Sequence, residues 1–320
     1  MNKSNFGTIV LTIFTTLAVG LAVFIGFNYQ VSRDFVHGLF FQPTPEVAKI
    51  QEALNLTDTG NRIFKASNPS LENEENFNKR CNSYNPGVSV LGCYINNNIY
   101  VYNIQNEELD GIIESTTAHE LLHAAWIRLA DSDRAMIIPF LDEVYSENLE
   151  QLGVVEDYED GARADELFAR IGTEIQNVPT ELEEVYNRYF ADRTNIVNYY
   201  NQYRVVFNKL SNSIKGLSDR IAELKQSIEL KTASYTERSA KLATAIEEFN
   251  NCANQTGCFT SANFVNRRAE LANEQSALAT LYSQIIAETN EHNQKVTEYN
   301  QNALKINYYT SIINSNINQE

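Results

Sequence analysis

A small α+β domain, led by a membrane-spanning helix and trailed by a long antiparallel helical hairpin, is the fold class that the 320-residue sequence predicts. Three observations carry it. An uncharged apolar run opens the chain. Two strand-like runs in its first half are followed by helical periodicity. A seven-residue apolar repeat then fills the last 120 residues, twice over. Composition agrees, since 13 glycines and six prolines are few for so long a chain and favour long helices over many turns. The boundaries read from these patterns are a transmembrane anchor at 1–30, a linker at 31–44, a folded domain at 45–200 and the hairpin at 201–320.

No charged residue lies between Lys3 and Arg33. Inside that gap "FGTIVLTIFTTLAVGLAVFIGF" (6–27) matches the length needed to cross a hydrocarbon core of about 30 Å as a helix. A cleaved signal peptide would be shorter and would end in a small-residue motif, which "NYQVSRDF" lacks, so an uncleaved anchor is expected. Lys3 and Arg33 flank the span and leave orientation almost undecided by charge. The four cysteines help. Cys81 with Cys93, and Cys252 with Cys258, form local pairs without zinc-knuckle or thioredoxin spacing, and two short-range disulfides point to an oxidising compartment. The expectation is a single-pass protein of the cell membrane, with its large part outside the cytoplasm.

After the anchor, "FFQPTPEVAK" reads as a linker, and "TPEVAKIQEALNL" as a short helix with Thr44 as N-cap and Pro45 at its first position. Residues 57–87 read as loops around a strand at "NRIFKAS". "VSVLGCYINNNIYVYNI" places two β-prone runs on either side of "NNN", a hairpin signal. Helical periodicity then starts in "NEELDGIIESTTAHELLHAAWIRLA", with Ile112, Ile113, Leu121, Leu122, Ala125 and Leu129.

In the last part Phe207, Ile214, Ile221, Ile228, Tyr235, Leu242 and Phe249 recur every seven residues. Leu210, Leu217 and Leu224 interleave with them until Lys231 and Arg238 interrupt the second series. Beyond "NNCANQTGCFTS" the repeat resumes at Phe264, Leu271, Leu278, Ile285, His292, Tyr299 and Ile306, with Tyr282, Val296 and Ala303 alongside. Two helices of about 45 residues, each nearly 70 Å long, should fold back on each other around a loop of about ten residues. A Cys252–Cys258 bridge would pinch the tip. Such a hairpin could serve as a spacer, a docking arm for a protein partner or a self-association surface.

The chemistry gathers at "TTAHELLHAAW" (116–126). Two of the chain's four histidines, His119 and His123, are four residues apart and so share a helix face. Two imidazoles so placed can hold Zn²⁺. Glu120 lies about 100° round the helix from His119, where it can stand beside the ion without binding it and accept a proton from water that the ion acidifies. Chance gives about 0.005 such matches in a chain of this composition, which disfavours coincidence over chemistry. Imidazole and carboxylate donors suit several divalent ions besides zinc.

"AHELLHAAW" resembles the active-site helix of the zincin metallopeptidases, whose signature is HExxH. The metzincin continuation is missing, with Trp126 and Leu129 at its glycine and third-histidine positions and no histidine before His292. The resemblance therefore implies a third ligand of the gluzincin kind, a glutamate on a later helix. "GARADELFARIGTEI" (161–175) supplies the candidate, since Glu166 in "ELFA" resembles the E-x-F-A pattern of several gluzincin-like families. Glu174 is the main rival because it shares a face with Leu167 and Ile171; Glu159 and Asp165 trail, and Glu166 could instead pair with Arg170. Gluzincins commonly steady the oxyanion with a Tyr or His. Here Tyr186 and Tyr189 are the candidates, with Arg193 nearby. The resemblance covers about residues 85–195, and only two short segments of it are specific.

The expectation is an α+β zincin-like domain that hydrolyses peptide or protein substrates with zinc. The alternative is a surface-attached structural or adhesive protein whose hairpin does the work and whose metal domain is inactive or merely metal-stabilised. Nucleic acid is not an expected partner, because the net charge is −16 and no basic cluster is present. Residues 141–185 alone hold 14 Asp or Glu against two Arg. Such a stretch could concentrate cationic substrates or simply be a solvated acidic surface.

Overall fold

A computed structural model describes residues 29–81, 90–155 and 160–314, together with 11, 13–17, 19, 20 and 26. It is mostly helical, with one small sheet and a long helix pair. The chain divides into two compact units, one comprising Met1–Val206 with Thr310–Glu320 and the other Phe207–Tyr309. The expected span at 6–27 falls largely outside the described residues. Among the described residues no helix is long and apolar enough to cross a membrane.

The first unit starts with α1 (Tyr29–Leu39), which occupies most of the stretch expected as a linker. In α2 (Pro45–Ala53) the expected cap is present: the Val47 N–H donates to Thr44 Oγ1 at 3.3 Å, with Pro45 opening the helix. The strand expected at "NRIFKAS" is not found. Those residues belong to α3 (Asp58–Ala66) and the residue after it. Thr57 caps this helix by accepting from the Gly60 N–H at 3.1 Å, and Ile63 and Phe64 are buried by it. The N-cap outweighs the local β preference of "RIF".

β1 (Ser70–Glu72) and α4 (Glu74–Cys81) precede the expected hairpin, β2 (Gly92–Ile95) and β3 (Asn98–Tyr102). Its two-residue turn, Asn96 and Asn97, has φ of 51° and 63°, a left-handed geometry that asparagine tolerates and that suits the strand twist. Tyr94 pairs with Ile99, and Ile95 with Asn98. β1 adds in parallel on the other side of β3, with Ser70 opposite Tyr100. The sheet order is therefore β1-β3-β2, which leaves β2 at an edge. The Cys81–Cys93 disulfide ties α4 to β2, and Phe77 packs beside it.

Four helices complete this core: α5 (Ile112–Trp126), α6 (Asp131–Glu147), the short α7 (Leu149–Leu152) and α8 (Asp160–Glu174). α9 (Thr180–Tyr186) then closes over α8. α5 is central, with Ala118, Leu121, Leu122, Ala124 and Ala125 fully shielded from solvent. α8 meets it through Leu167, Phe168 and Ile171. The approach is close because position 172 has no side chain: a Cβ on Gly172 would lie 2.4 Å from Leu122 Cδ1 and 2.6 Å from Tyr186 Cε1.

The helices α10 (Arg193–Ala253) and α11 (Ser261–Ile313) are 61 and 53 residues long. Both exceed the expected 45, and the connection between them is shorter than the expected ten. Within Phe207–Tyr309 their partners run in opposite directions. Phe207 meets Tyr309, Ser213 meets Asn302, Tyr235 meets Tyr282 and Phe249 meets Phe264. The second disulfide, Cys252–Cys258, closes at the tip. Lys231 and Arg238, which break the apolar series, bind Glu288 and Glu274 on the opposing helix.

Candidate metal centre

His119 and His123 sit one turn apart on α5 and aim their rings at one spot. Their Nε2 atoms are 3.1 Å apart and the ring centroids 4.8 Å. From α8, Glu166 Oε2 comes within 3.9 Å of His119 Nε2 and 3.5 Å of His123 Nε2. One donor atom from each of the three residues lies within 4.8 Å of the others, so the group could hold a metal ion. Its His119 and Glu166 side chains are 21% and 18% exposed and His123 only 7%, so the group is sunk in the protein but open on one side.

Asp165 does not join the donors. Its Oδ1 lies 2.8 Å from His123 Nδ1 and accepts the proton there, which leaves Nε2 to face Glu166 and His119. Such an outer carboxylate fixes the tautomer and the ring plane of a metal-binding histidine. The donor set therefore fits a divalent ion: two imidazole nitrogens, one of them already oriented, and one carboxylate oxygen.

The charges of the group follow from burial set against two carboxylates. Burial pulls His119 down to about 4 against the opposing charge of Glu166, helped by the charges of His123 and Arg170, so at neutral pH the ring is uncharged. Burial also opposes charge on His123, but hydrogen bonds to Asp165 and Glu166 outweigh it and hold the ring well above the ordinary histidine range. At Glu166 burial raises the pKa, while the His123 hydrogen bond and the charges of His119, His123 and Arg170 bring it down to about 2. A proton on His123 thus balances two carboxylates, as a cation among the donors would.

Glu120 packs against β2, within reach of the charges of His123 and Glu166. It is 6% exposed, and burial is the main cause that lifts its carboxyl to about 7. A backbone hydrogen bond from Tyr94 and the charge of His123 act in the opposite sense. A Cβ at position 92 would lie 2.7 Å from both Glu120 Cγ and Oε1 and 2.8 Å from Thr116 Cγ2. Glycine in β2 therefore makes the room that the carboxylate occupies.

The remaining sequence candidates have other partners. Glu174 is bound by Arg170, with Nε to Oε1 at 2.9 Å and a second contact at 3.3 Å. Arg170 thus spends its hydrogen bonds one turn beyond Glu166 and acts on Glu166 through its charge. Glu159 lies outside the described residues. Tyr186 is fully buried, stacks on Phe168 and donates its hydroxyl to the Phe168 carbonyl at 2.9 Å. Burial drives its pKa far up. Tyr189 is buried as well, and burial pushes it up to about 12. Arg193 caps the carboxyl end of α8, donating to the carbonyls of Ile175 at 2.6 Å and Gln176 at 2.8 Å, and it pairs with Glu183. Tyr186 and Arg193 thus position the glutamate helix, and neither is brought to the donor group.

Sequence reading missed Asp165 as an orienting group and Gly92 as the space for Glu120. The adjacent acids "DE" at 165–166 were the available signal, since neighbouring helix positions point about 100° apart and suit one donor and one orienter. Nothing local marks Gly92, whose contact is 28 residues away. No family profile, curated protein or solved structure matches the chain.

Proposed function

We propose that the chain is a membrane-anchored, zinc-dependent endopeptidase of the zincin type, with its catalytic domain outside the cytoplasm. One observation supports this above the others. His119, His123 and Glu166 converge from two helices, while the intervening Glu120 is not part of that donor group and is buried against an edge strand. Metal storage or structural metal binding has no need of such a separate carboxylate; hydrolysis does.

In this reading His119 and His123, through Nε2, and Glu166, through a carboxylate oxygen, hold the ion. Zinc, when bound, supplies Lewis acidity that polarises a carbonyl and acidifies water. Asp165 keeps the His123 proton on Nδ1. Glu120 takes one proton from the water as its oxygen bonds to the scissile carbon, then passes it to the departing amine nitrogen as the C–N bond breaks. Among the described residues β2 pairs only with β3, so its outer edge can accept an extended peptide by strand addition. That geometry would bring a peptide bond past Gly92, beside Glu120.

The test is metal content and peptide-library cleavage by the purified full chain and its Glu120→Gln variant. The reading expects stoichiometric zinc in both, with cleavage lower in the variant by about 10²–10⁴-fold. Equal cleavage in both, or no bound metal, overturns it. Metal without cleavage in the wild type supports instead a surface protein whose hairpin is the functional part.

A further inference from the structure

α1 is an amphipathic helix with its polarity reversed. Asp34 faces inward at 2% exposure, while Phe35, Val36, Leu39 and Phe40 stand in solvent, Phe40 at 79%. The orientation is locked. Arg128, just past the end of α5, grips both Asp34 oxygens at 2.9 Å and also donates to Tyr94 Oη, Asn97 Oδ1 and the Ala124 carbonyl. Rolling α1 to bury its apolar side would strand a buried guanidinium, so that side stays outward.

The cations are distributed unevenly around it. From Lys79 to Arg193 every described Lys and Arg takes part in an ion pair. Among the described residues Arg33, Lys49, Arg62 and Lys65, on α1 and its neighbours, take part in none. Arg33, His37 and Lys65 line a cavity of about 360 Å³ on one flank of α1, walled also by Phe40 and Asn96. On the other flank Phe35 and Leu39 border a cavity of about 300 Å³ with Asp58, Arg62 and Lys65, and the Arg62 Nε there is buried without a partner. In a chain of net charge −16 this is an unpaired basic rim around an apolar face. The apolar run 6–27 ends two residues before α1 begins.

We propose that this face of α1 is a seat for an anionic phospholipid bilayer. Val36, Leu39, Phe40 and Phe35 enter the boundary between headgroups and acyl chains, and Arg33, Lys65 and Arg62 meet lipid phosphates. A helix lying in that boundary sinks its apolar side by about 5–10 Å. Each basic side chain near an anionic surface shifts the seating equilibrium about fivefold. The inference rests on the membrane-anchored reading and adds how the folded unit lies on the lipid.

The experiment uses the full chain with a fluorophore on Phe40→Cys or, separately, Val36→Cys, and a control label on Val154→Cys, which is 77% exposed in the same unit. Phosphatidylcholine vesicles with and without phosphatidylglycerol carry brominated lipid, and iodide is the aqueous quencher. Flotation with the vesicles reports anchoring independently. Seating predicts that labels at 40 and 36 are quenched by lipid and shielded from iodide when phosphatidylglycerol is present, while the label at 154 behaves in the opposite way. Arg33→Gln with Lys65→Gln should weaken the seated state about 25-fold. A chain that fails to float overturns both the anchor and the seat. A chain that floats with positions 40 and 154 equally open to iodide overturns the seat alone. Protection at 40 that persists in detergent and grows with protein concentration overturns it in favour of a second copy of this chain.

Discussion

In the first unit Leu121, Leu122, Phe168 and Ile171 are wholly shut off from solvent, whereas along Phe207–Tyr309 burial is reached at Leu224, Leu278, Ile285 and Tyr309, most of the rest of the seam is half-covered and Tyr282 is exposed. Their charges differ in the same way. The first unit buries Asp34, Glu120, His123 and Arg193, each with stated partners. The hairpin keeps its crossing pairs, Arg220–Glu291 and Arg238–Glu274, in water. A helix pair spreads its stability over many weak contacts. The first unit concentrates it in a few buried polar groups, where removing one partner leaves an uncompensated desolvation penalty. Single substitutions should therefore act strongly in one unit and weakly in the other.

The largest expected effect is the loss of cleavage in Glu120→Gln, with zinc content unchanged. Next comes Asp34→Ala, which leaves Arg128 buried without its carboxylate and should cost about 3–5 kcal/mol of stability in the first unit, read by denaturant titration. A result under 1 kcal/mol would mean that α1 is held by other contacts. Gly92→Ala is more selective. Its Cβ would displace the Glu120 carboxylate, and a misplacement of about 1 Å lowers turnover by about 10²-fold while metal affinity stays. Full activity in this variant would detach Glu120 from the chemistry.

Alkaline pH should separate the units by a smaller margin. Burial raises the pKa of Tyr186 and Tyr189 in the fold, Tyr189 to about 12, against about 10 in an unfolded chain. A raised folded pKa means the contribution is intact below about pH 10 and is lost as pH climbs towards the folded values. Unfolding monitored at pH 9 and pH 11 should show the first unit weakening. Smallest of all, Arg238→Gln should leave hairpin unfolding without measurable change, because the pair is exposed and one among several.

Legibility from sequence follows the same division. The hairpin was readable because its contacts repeat along the chain: each residue of the series from Phe207 through Ile214 to Phe249 is half-buried as its position implies, and Leu224 of the interleaved series is buried. The histidine pair and the Asn96–Asn97 turn were also local signals. What could not be read joins distant residues. "NRIFKAS" looked like a strand until the Thr57 cap and the packing of Ile63 and Phe64 made it a helix. Asp34 looked like linker, yet its partner Arg128 is 94 residues on. Tyr186 and Tyr189, with Arg193 nearby, were oxyanion candidates through the resemblance alone; in the fold Tyr186 and Arg193 hold α8 and Tyr189 is buried. Between Glu166 and Glu174, the E-x-F-A resemblance favoured the first and the face shared with Leu167 and Ile171 the second; the structure brings Glu166 to the histidines and pairs Glu174 with Arg170.

That choice of carboxylate is the point on which the proposed metal centre turns, and zinc titration of the full chain by calorimetry tests it directly. The wild type should bind one zinc per chain, Glu166→Ala should lose at least about tenfold in affinity, and Glu174→Gln should bind as the wild type does. Zinc binding that survives in Glu166→Ala but falls in Glu174→Gln would contradict the proposed centre, as would a wild-type chain that binds none.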